Sequence, residues 1–199
     1  MRFILYLLVP VLFLSCDDSD EITTIGDALS AQEIEDLQFL REEEKLARDV
    51  YLYSYDLYGQ SIFKNISNSE QSHMDNVSVL MKKYNISDIS SSERGKFSNE
   101  TLQNLYTDLT ALADKSIEDA LLVGATIEDL DINDLDHFIL NTSHQDIEEM
   151  YDLLNCGSRN HMRAYTNNLN NLGVEYTPQF ITLEAYNAII NSSNEKCGN

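Results

Sequence analysis

In the stretch SEQSH, residues 69–73, Glu70 and His73 stand three positions apart. On a helix that spacing puts both side chains on one face, one turn apart, so a carboxylate oxygen and an imidazole nitrogen reach the same point. Oxygen and nitrogen donors converging in this way suit a first-row transition-metal cation. The residues sharing that face are Ile66, Val77, Leu80 and Tyr84, the apolar stripe of an amphipathic helix. The pattern recurs. Glu44 interrupts Leu37, Leu40, Ala47 and Tyr51. Glu128, with Asp131 and Ile132 one turn on, interrupts Ile117, Leu121, Gly124, Ala125 and Leu135. Ser158 and His161 interrupt Ile147, Tyr151, Leu154, Tyr165 and Leu172. Four stripes, each broken near its middle, aim Glu44, Glu70, His73, Glu128 and His161 at a shared interior.

An ionised carboxylate buried without a partner costs several kcal/mol, against a total domain stability of about 5–15 kcal/mol. Three of them must be neutralised. Protonation requires large upward pKa shifts. Arg48 and Arg159 lie close in sequence to two of the breaks, so a buried ion-pair network is a second solution. Metal is the third: three carboxylates and two neutral imidazoles match two divalent cations to within one unit of charge.

The elements that must position these groups are helical. Only seven glycines and two prolines occur, and strand signals are few. Ser30 and Glu33 form a capping-box pattern opening a helix that runs to about Tyr58 and stops at Gly59. A second spans about 62–84, and 85–96 reads as loop. The run Ser98, Asn99, Glu100 and Thr101 opens a shorter helix carrying Leu102, Leu105, Leu109 and Leu112. Ser116 starts the next, which runs to about Leu130, with a separate short continuation from Asn133 to Leu140. Thr142 and Ser143 cap the last long helix, about 144–172, with Gly173 as its stop, and Thr182 caps a terminal helix ending near Ile190. Four long helices with shorter attachments predict an all-α four-helix bundle.

The ends read differently. Residues 1–15 carry Arg2, an apolar run and a small residue before Cys16, the marks of an export signal. The run is too short for a permanent membrane span. The ending FLSC resembles the lipobox of bacterial lipoproteins, which implies a lipid-anchored envelope protein with Cys16 as its mature N-terminus. An ordinary secretory signal with an incidental cysteine is the alternative. Residues 16–29 read as a flexible acidic tether, 30–192 as the helical domain and 193–199 as a tail. The acidic run after Cys16 also resembles the surface-export signal of some outer-membrane lipoproteins. The net charge of −21 opposes nucleic-acid binding and adhesion to anionic lipid headgroups, leaving membrane attachment to the lipid on Cys16. With Cys16 lipidated, Cys156 and Cys197 remain as an even pair in a disulfide-permissive compartment. A disulfide between them, tethering the C-terminal tail to a helix, is the expectation, and two free thiols the alternative.

The segment EKLARDVY (44–51) is similar to the first-helix ligand motif of rubrerythrins, SEQSH to their second-helix Glu-x-x-His, and GATIEDLD (124–131) to their third helix. More specifically, REEEKLARDVY (41–51), IEDLDI (127–132) and GSRNHMRAY (157–165) resemble the family known as domain of unknown function 2202, a ferritin-like group. The resemblance covers roughly 29–190. It implies a ferritin-like bundle whose metal ligands are Glu44, Glu70, His73, Glu128, Asp131 and His161, with Arg48, Tyr51, Ser158, Arg159 and Tyr165 around them. Ser158 departs from the di-iron pattern, which repeats Glu-x-x-His on the fourth helix, so one ion is short of a carboxylate.

The function implied is iron or manganese binding for oxygen, peroxide or metal-handling chemistry at the cell envelope. The alternative is a metal-free interaction lipoprotein with an ion-pair network in place of the site. No glycine-rich phosphate loop points to a nucleotide, and no organic cofactor is implied. No CxxC pair exists for a rubrerythrin-type cysteine-bound iron. His137 and His144 read as surface or capping groups without acidic partners, Glu42 and Glu43 as solvated acids flanking the stripe, with an inward-reaching Glu43 as the alternative, and Arg48 and Asp49 as contacts at the helix surface or just outside the ligands.

Overall fold

The computed structural model describes residues 28–198. The segments read as an export signal, a lipidated Cys16 and most of an acidic tether lie outside the described residues. Those described form an all-α bundle: α1 (Ala31–Tyr58), α2 (Ser61–Lys83), α3 (Glu100–Ala113), α4 (Ile117–Asn141), α5 (Gln145–Asn171) and α6 (Leu183–Ile190). Among them no helix is long and apolar enough to cross a membrane.

Local chemistry sets most boundaries. The reciprocal Ser30–Glu33 capping box starts α1, and Gly59 ends it at φ 65°, a left-handed conformation that costs a residue with a Cβ about 1 kcal/mol or more. Asn99, Ser116 and Thr182 cap α3, α4 and α6 through their side chains. Two expected boundaries are corrected. α4 runs unbroken through Leu130 and Asn133 to Asn141, because Asp131, Ile132 and Leu135 continue its buried face and no breaker intervenes. α5 begins one residue later than expected, with His144 as an N-cap that makes no side-chain cap bond. The Thr142 hydroxyl accepts from the His144 amide at 3.1 Å and donates to Glu33 at 2.7 Å, joining the starts of α1 and α5. Leu172, expected on the α5 stripe, is its C-cap and is 48 % exposed.

α1 packs on α2 and α4, and α5 packs on the same two helices. α3 lies across α1 and α4, and α6 lies against α5. The apolar interior falls into two clusters. One gathers the C-terminal half of α1 and the N-terminal halves of α2 and α4 with α3, α6 and the end of α5. The other gathers Leu37, Leu40, Val77, Leu80, Leu135, Ile147 and Leu154 at the opposite end. Adjacent long helices are therefore antiparallel, and the polar breaks in all four form a layer between the two clusters.

Buried charges pin the connections. Lys45 is buried and donates to Asp49 at 2.6 Å and to the carbonyls of Glu93 and Lys96, with its ammonium 4.3 Å from the centre of the Phe97 ring. Glu42, expected in solvent, is buried because it accepts from the Ser98 and Asn99 amides at 2.7 and 2.8 Å. Asp129 accepts from Tyr176 and from the amides of Gln179, Phe180 and Ile181. The C-terminal segment is held by a Cys156–Cys197 disulfide. Glu195 reinforces it by pairing with Arg159 and Arg163, each at 2.6 Å.

Candidate metal centre

The layer between the two clusters contains Glu44 from α1, Glu70 and His73 from α2, Glu128 and Asp131 from α4, and Ser158 and His161 from α5, all buried. Each is supplied near the middle of a long helix, where the backbone is hydrogen-bonded and rigid. His73 Nδ1 lies 2.8 Å from Glu70 Oε2 and 3.2 Å from Glu44 Oε2. His161 Nδ1 lies 2.9 Å from Glu70 Oε1 and 3.4 Å from Glu128 Oε2. Glu70 thus faces both imidazoles, one with each oxygen. The rings stack, with centres 5.6 Å apart. Two ligand triads follow, Glu44–Glu70–His73 and Glu70–Glu128–His161, each with its donor atoms within 4.8 Å of one another.

Hydrogen bonding matches this proximity only in part: His73 Nδ1 and Glu44 Oε2 form a hydrogen bond at 3.2 Å. Glu70 Oε1 and His161 Nδ1 are both buried and, despite their 2.9 Å separation, neither has a hydrogen-bond partner. Glu44 Oε1 and Asp131 Oδ1 are also buried and unpartnered. A buried polar atom left in this state costs about 1–3 kcal/mol, more when charged. Donors that crowd together without bonding one another are arranged for a common third body.

Electrostatics point the same way. Burial pushes the Glu44 carboxyl up to about 7, against the opposing pull of His73. Burial disfavours a charged His161, yet Glu70 and Glu128 outweigh it and raise the imidazole to about 10. Burial also acts against a charged His73, but Glu44 and Glu70 hold it well above its ordinary value. Burial raises Glu70 too, but His161 and His73 together keep its carboxyl well below the usual range. Burial lifts Glu128, and it lifts Asp131 strongly with the help of Glu44. The cluster by itself therefore retains protons, which a cation can replace.

The surrounding residues divide. The Tyr51 hydroxyl donates to Glu128 Oε1 at 2.5 Å, and the Tyr165 ring packs with its centre 5.4 Å from that of Tyr51. Ser158 donates to Asp131 Oδ2, so the serine on α5 orients a carboxylate from α4; Asp131 stands outside both triads. The arginines do not enter. Arg48 pairs with Asp49 and donates to Gln71, and Arg159 pairs with Glu195 and Asn155, leaving the ligand carboxylates with no guanidinium partner among the described residues. Arg159 points to the tail because Glu195 is brought to it by the neighbouring disulfide. Asp49 is fully buried beneath Lys45 and Gly95 and is not a surface contact. His137 is exposed on α4, whereas His144 has an acidic partner after all, Glu33 at 2.7 Å.

Three residues beside the site have roles that the stripes did not assign. Glu43, expected in solvent, is only 2 % exposed and neither of its oxygens has a partner; burial first, then Asp131 and Asp134, drive its carboxyl well above the usual range. Gly157 lies so close to His73 that a Cβ there would stand 2.6 Å from the ring Nε2. The Ser69 hydroxyl lies 3.0 Å from His161 Nε2. Glu43 is three residues after Leu40 and four before Ala47; Ser69 and Gly157 stand in the same relation to their own stripes. That spacing is the signal that could have found them.

Sequence comparison places the chain. A family model described as "Uncharacterized protein domain (DUF2202)" matches residues 33–193, which spans all six helices and every ligand candidate. The chain belongs to the DUF2202 family. A relative, "Uncharacterized protein MJ0754" of Methanocaldococcus jannaschii, is 53 % identical over 169 residues, covering 84 % of this chain and 91 % of its own length. The crystal structure titled "hypothetical protein MJ0754 from Methanococcus jannaschii DSM 2661" is similar to this one, with a TM-score of 0.83 at 54 % identity. That match covers 84 % of this chain and 96 % of the other. The all-helical DUF2202 architecture thus has a crystallographic counterpart.

Proposed function

We propose that this DUF2202 bundle binds two transition-metal ions, iron or manganese, between α1, α2, α4 and α5. The observation that carries this reading is the pair of buried triads sharing Glu70, with Glu70 Oε1, His161 Nδ1 and Glu44 Oε1 lacking hydrogen-bond partners. Glu44, Glu70 and His73 hold one ion; Glu70, Glu128 and His161 hold the other. Asp131, oriented by Ser158, stands by with a free buried oxygen in place of the carboxylate that α5 lacks. Four carboxylates then balance two divalent cations. Imidazole nitrogen among the donors suits iron, and the carboxylates that dominate the set suit manganese as well. When bound, such ions supply redox or metal-handling chemistry toward oxygen or peroxide, in the manner of ferritin-like proteins.

The residues themselves have plain tasks. Glu70 would serve both ions, since each of its oxygens faces one imidazole, and Tyr51 holds one oxygen of Glu128, which leaves Oε2 to face His161. The two apolar clusters exclude water from either side. The proposal extends to the envelope: a lipid on Cys16 anchors the bundle, and the acidic surface keeps it clear of anionic headgroups.

A second reading rests on the imidazole–carboxylate contacts, which in fully protonated form make a metal-free network supporting an interaction protein. Elemental analysis after anaerobic loading with Fe(II) or Mn(II) separates the two. The metal reading expects up to two ions per chain, reduced or lost in Glu44→Ala and His73→Ala. Wild-type protein that stays metal-free under loading establishes the network instead.

A further inference from the structure

We infer that Ser69 is a positioning residue that, with its neighbour Glu70, grips both ring nitrogens of His161 and so dictates which nitrogen faces the metal layer. This rests on the metal reading above. The geometry is unusual in that two consecutive residues of α2 reach one imidazole on α5: Glu70 Oε1 lies 2.9 Å from Nδ1 and Ser69 Oγ lies 3.0 Å from Nε2. A neutral imidazole has one N–H and one lone pair, and a metal takes the lone pair. When Ser69 accepts the Nε2 proton, the lone pair is left on Nδ1, toward Glu70 and Glu128. Flipping the ring turns carbon atoms toward both groups and loses both contacts.

His73 is held by different means. Its Nε2 faces the Gly157 backbone closely enough that no Cβ fits between them, so packing, not a hydroxyl, fixes that ring. The centre is therefore asymmetric in its outer support: His161 depends on one hydrogen bond, His73 on close contact. The half-buried Ser69 hydroxyl belongs to neither triad and does not touch the ions. Its effect passes through His161 alone.

The test compares wild type, Ser69→Ala, Ser69→Thr and Ser72→Ala, the last altering an exposed hydroxyl of α2 that bonds only to its own helix. Co(II) serves as the probe, since its visible spectrum reports nitrogen ligation. Ring ¹⁵N shifts of His161 are recorded separately in protein loaded with diamagnetic Zn(II). Ser69→Ala is expected to weaken one of two Co(II) ions by roughly ten- to a hundred-fold, the usual effect of removing a partner that orients a ligand. It should also alter that ion's spectrum and change the His161 ring shifts. Ser69→Thr restores all three, and Ser72→Ala leaves them unchanged. Unaltered affinity, spectrum and ring shifts in Ser69→Ala overturn the inference while sparing the metal reading. Wild-type protein that takes up no Co(II), Fe(II) or Mn(II) overturns both.

Discussion

Replacing Gly157 by alanine adds one methyl group in the middle of α5, and that methyl would lie 2.6 Å from His73 Nε2 and 2.8 Å from Cε1. Ordinary contact needs about 3.5 Å, so the ring must retreat by roughly 1 Å. The helix backbone carrying the methyl is rigid, and the displacement therefore falls on His73. Its Nδ1 now sits 2.8 Å from Glu70 and 3.2 Å from Glu44, and metal–ligand distances tolerate only about 0.2 Å. Overpacking costs about 1–3 kcal/mol, while exchanging glycine for alanine within a helix returns about 0.5–1 kcal/mol. Stability in chelator should accordingly fall by no more than about 2.5 kcal/mol. Cation affinity should fall in addition, by a hundred-fold or so, which reduces the metal-induced stabilisation by about 2.7 kcal/mol. Thermal melting with and without Mn(II), for wild type, Gly157→Ala, His73→Ala and the double variant, forms the assay. Because the methyl acts through the ring, the two losses must not add: once His73 is removed, Gly157→Ala has nothing further to displace. Fully additive losses, or wild-type metal stabilisation in Gly157→Ala, would refute the reasoning.

Cation affinity should rise with pH, because His161, raised to about 10, and the Glu44 carboxyl, raised to about 7, hold protons that binding displaces. Isothermal titration in buffers of different ionisation enthalpy should register proton release, and affinity independent of pH between 6 and 8 would count against it. At the acid limb, burial would raise Glu33, but the Ser30 amide, His144 and Thr142 hold its carboxyl at about 2. A depressed acid stabilises fully above its unfolded value near 4.5 and loses that contribution as pH falls toward 2, a change of about 3 kcal/mol. Urea unfolding should therefore show a flatter acid limb in Glu33→Gln than in wild type. Opening the Cys156–Cys197 bond, which closes a sequence separation of 41 residues, should cost about 4 kcal/mol by loop entropy. That corresponds to roughly 10 °C in Tm for a domain of this size, read by melting Cys156→Ala/Cys197→Ala; an unchanged Tm would show that Glu195 and its arginines suffice to hold the tail.

How much of the site was legible follows from what each residue's signal is. Glu44, Glu70, His73, Glu128 and His161 stand out because a charged or imidazole group interrupts an otherwise apolar stripe, and the structure gathers all five. Glu43, Ser69 and Gly157 were not legible by the same test. Each stripe was followed as one residue per turn, whereas a core-facing helix buries a wider arc. Spacing alone would place Gly157 on the buried arc, but its part in the site comes from the ring packed against it. The break expected in α4 between Leu130 and Asn133 does not occur, because the helix accommodates Asn133 half-buried beside its core face.

By itself the sequence determined the helices, their caps at Ser30, Ser116 and Thr182, the apolar stripes and the acidic surface, because these depend on neighbours within a few positions. Only the tertiary structure decided that Glu70 would be shared between two imidazoles, that Arg159 would be drawn away to Glu195, and that Asp131 would be oriented by Ser158. Those choices are made between helices far apart in the chain, where a rotation of one stripe by a few tens of degrees exchanges one partner for another. Periodicity fixes which side of a helix is buried; packing against the other three fixes what each buried group meets.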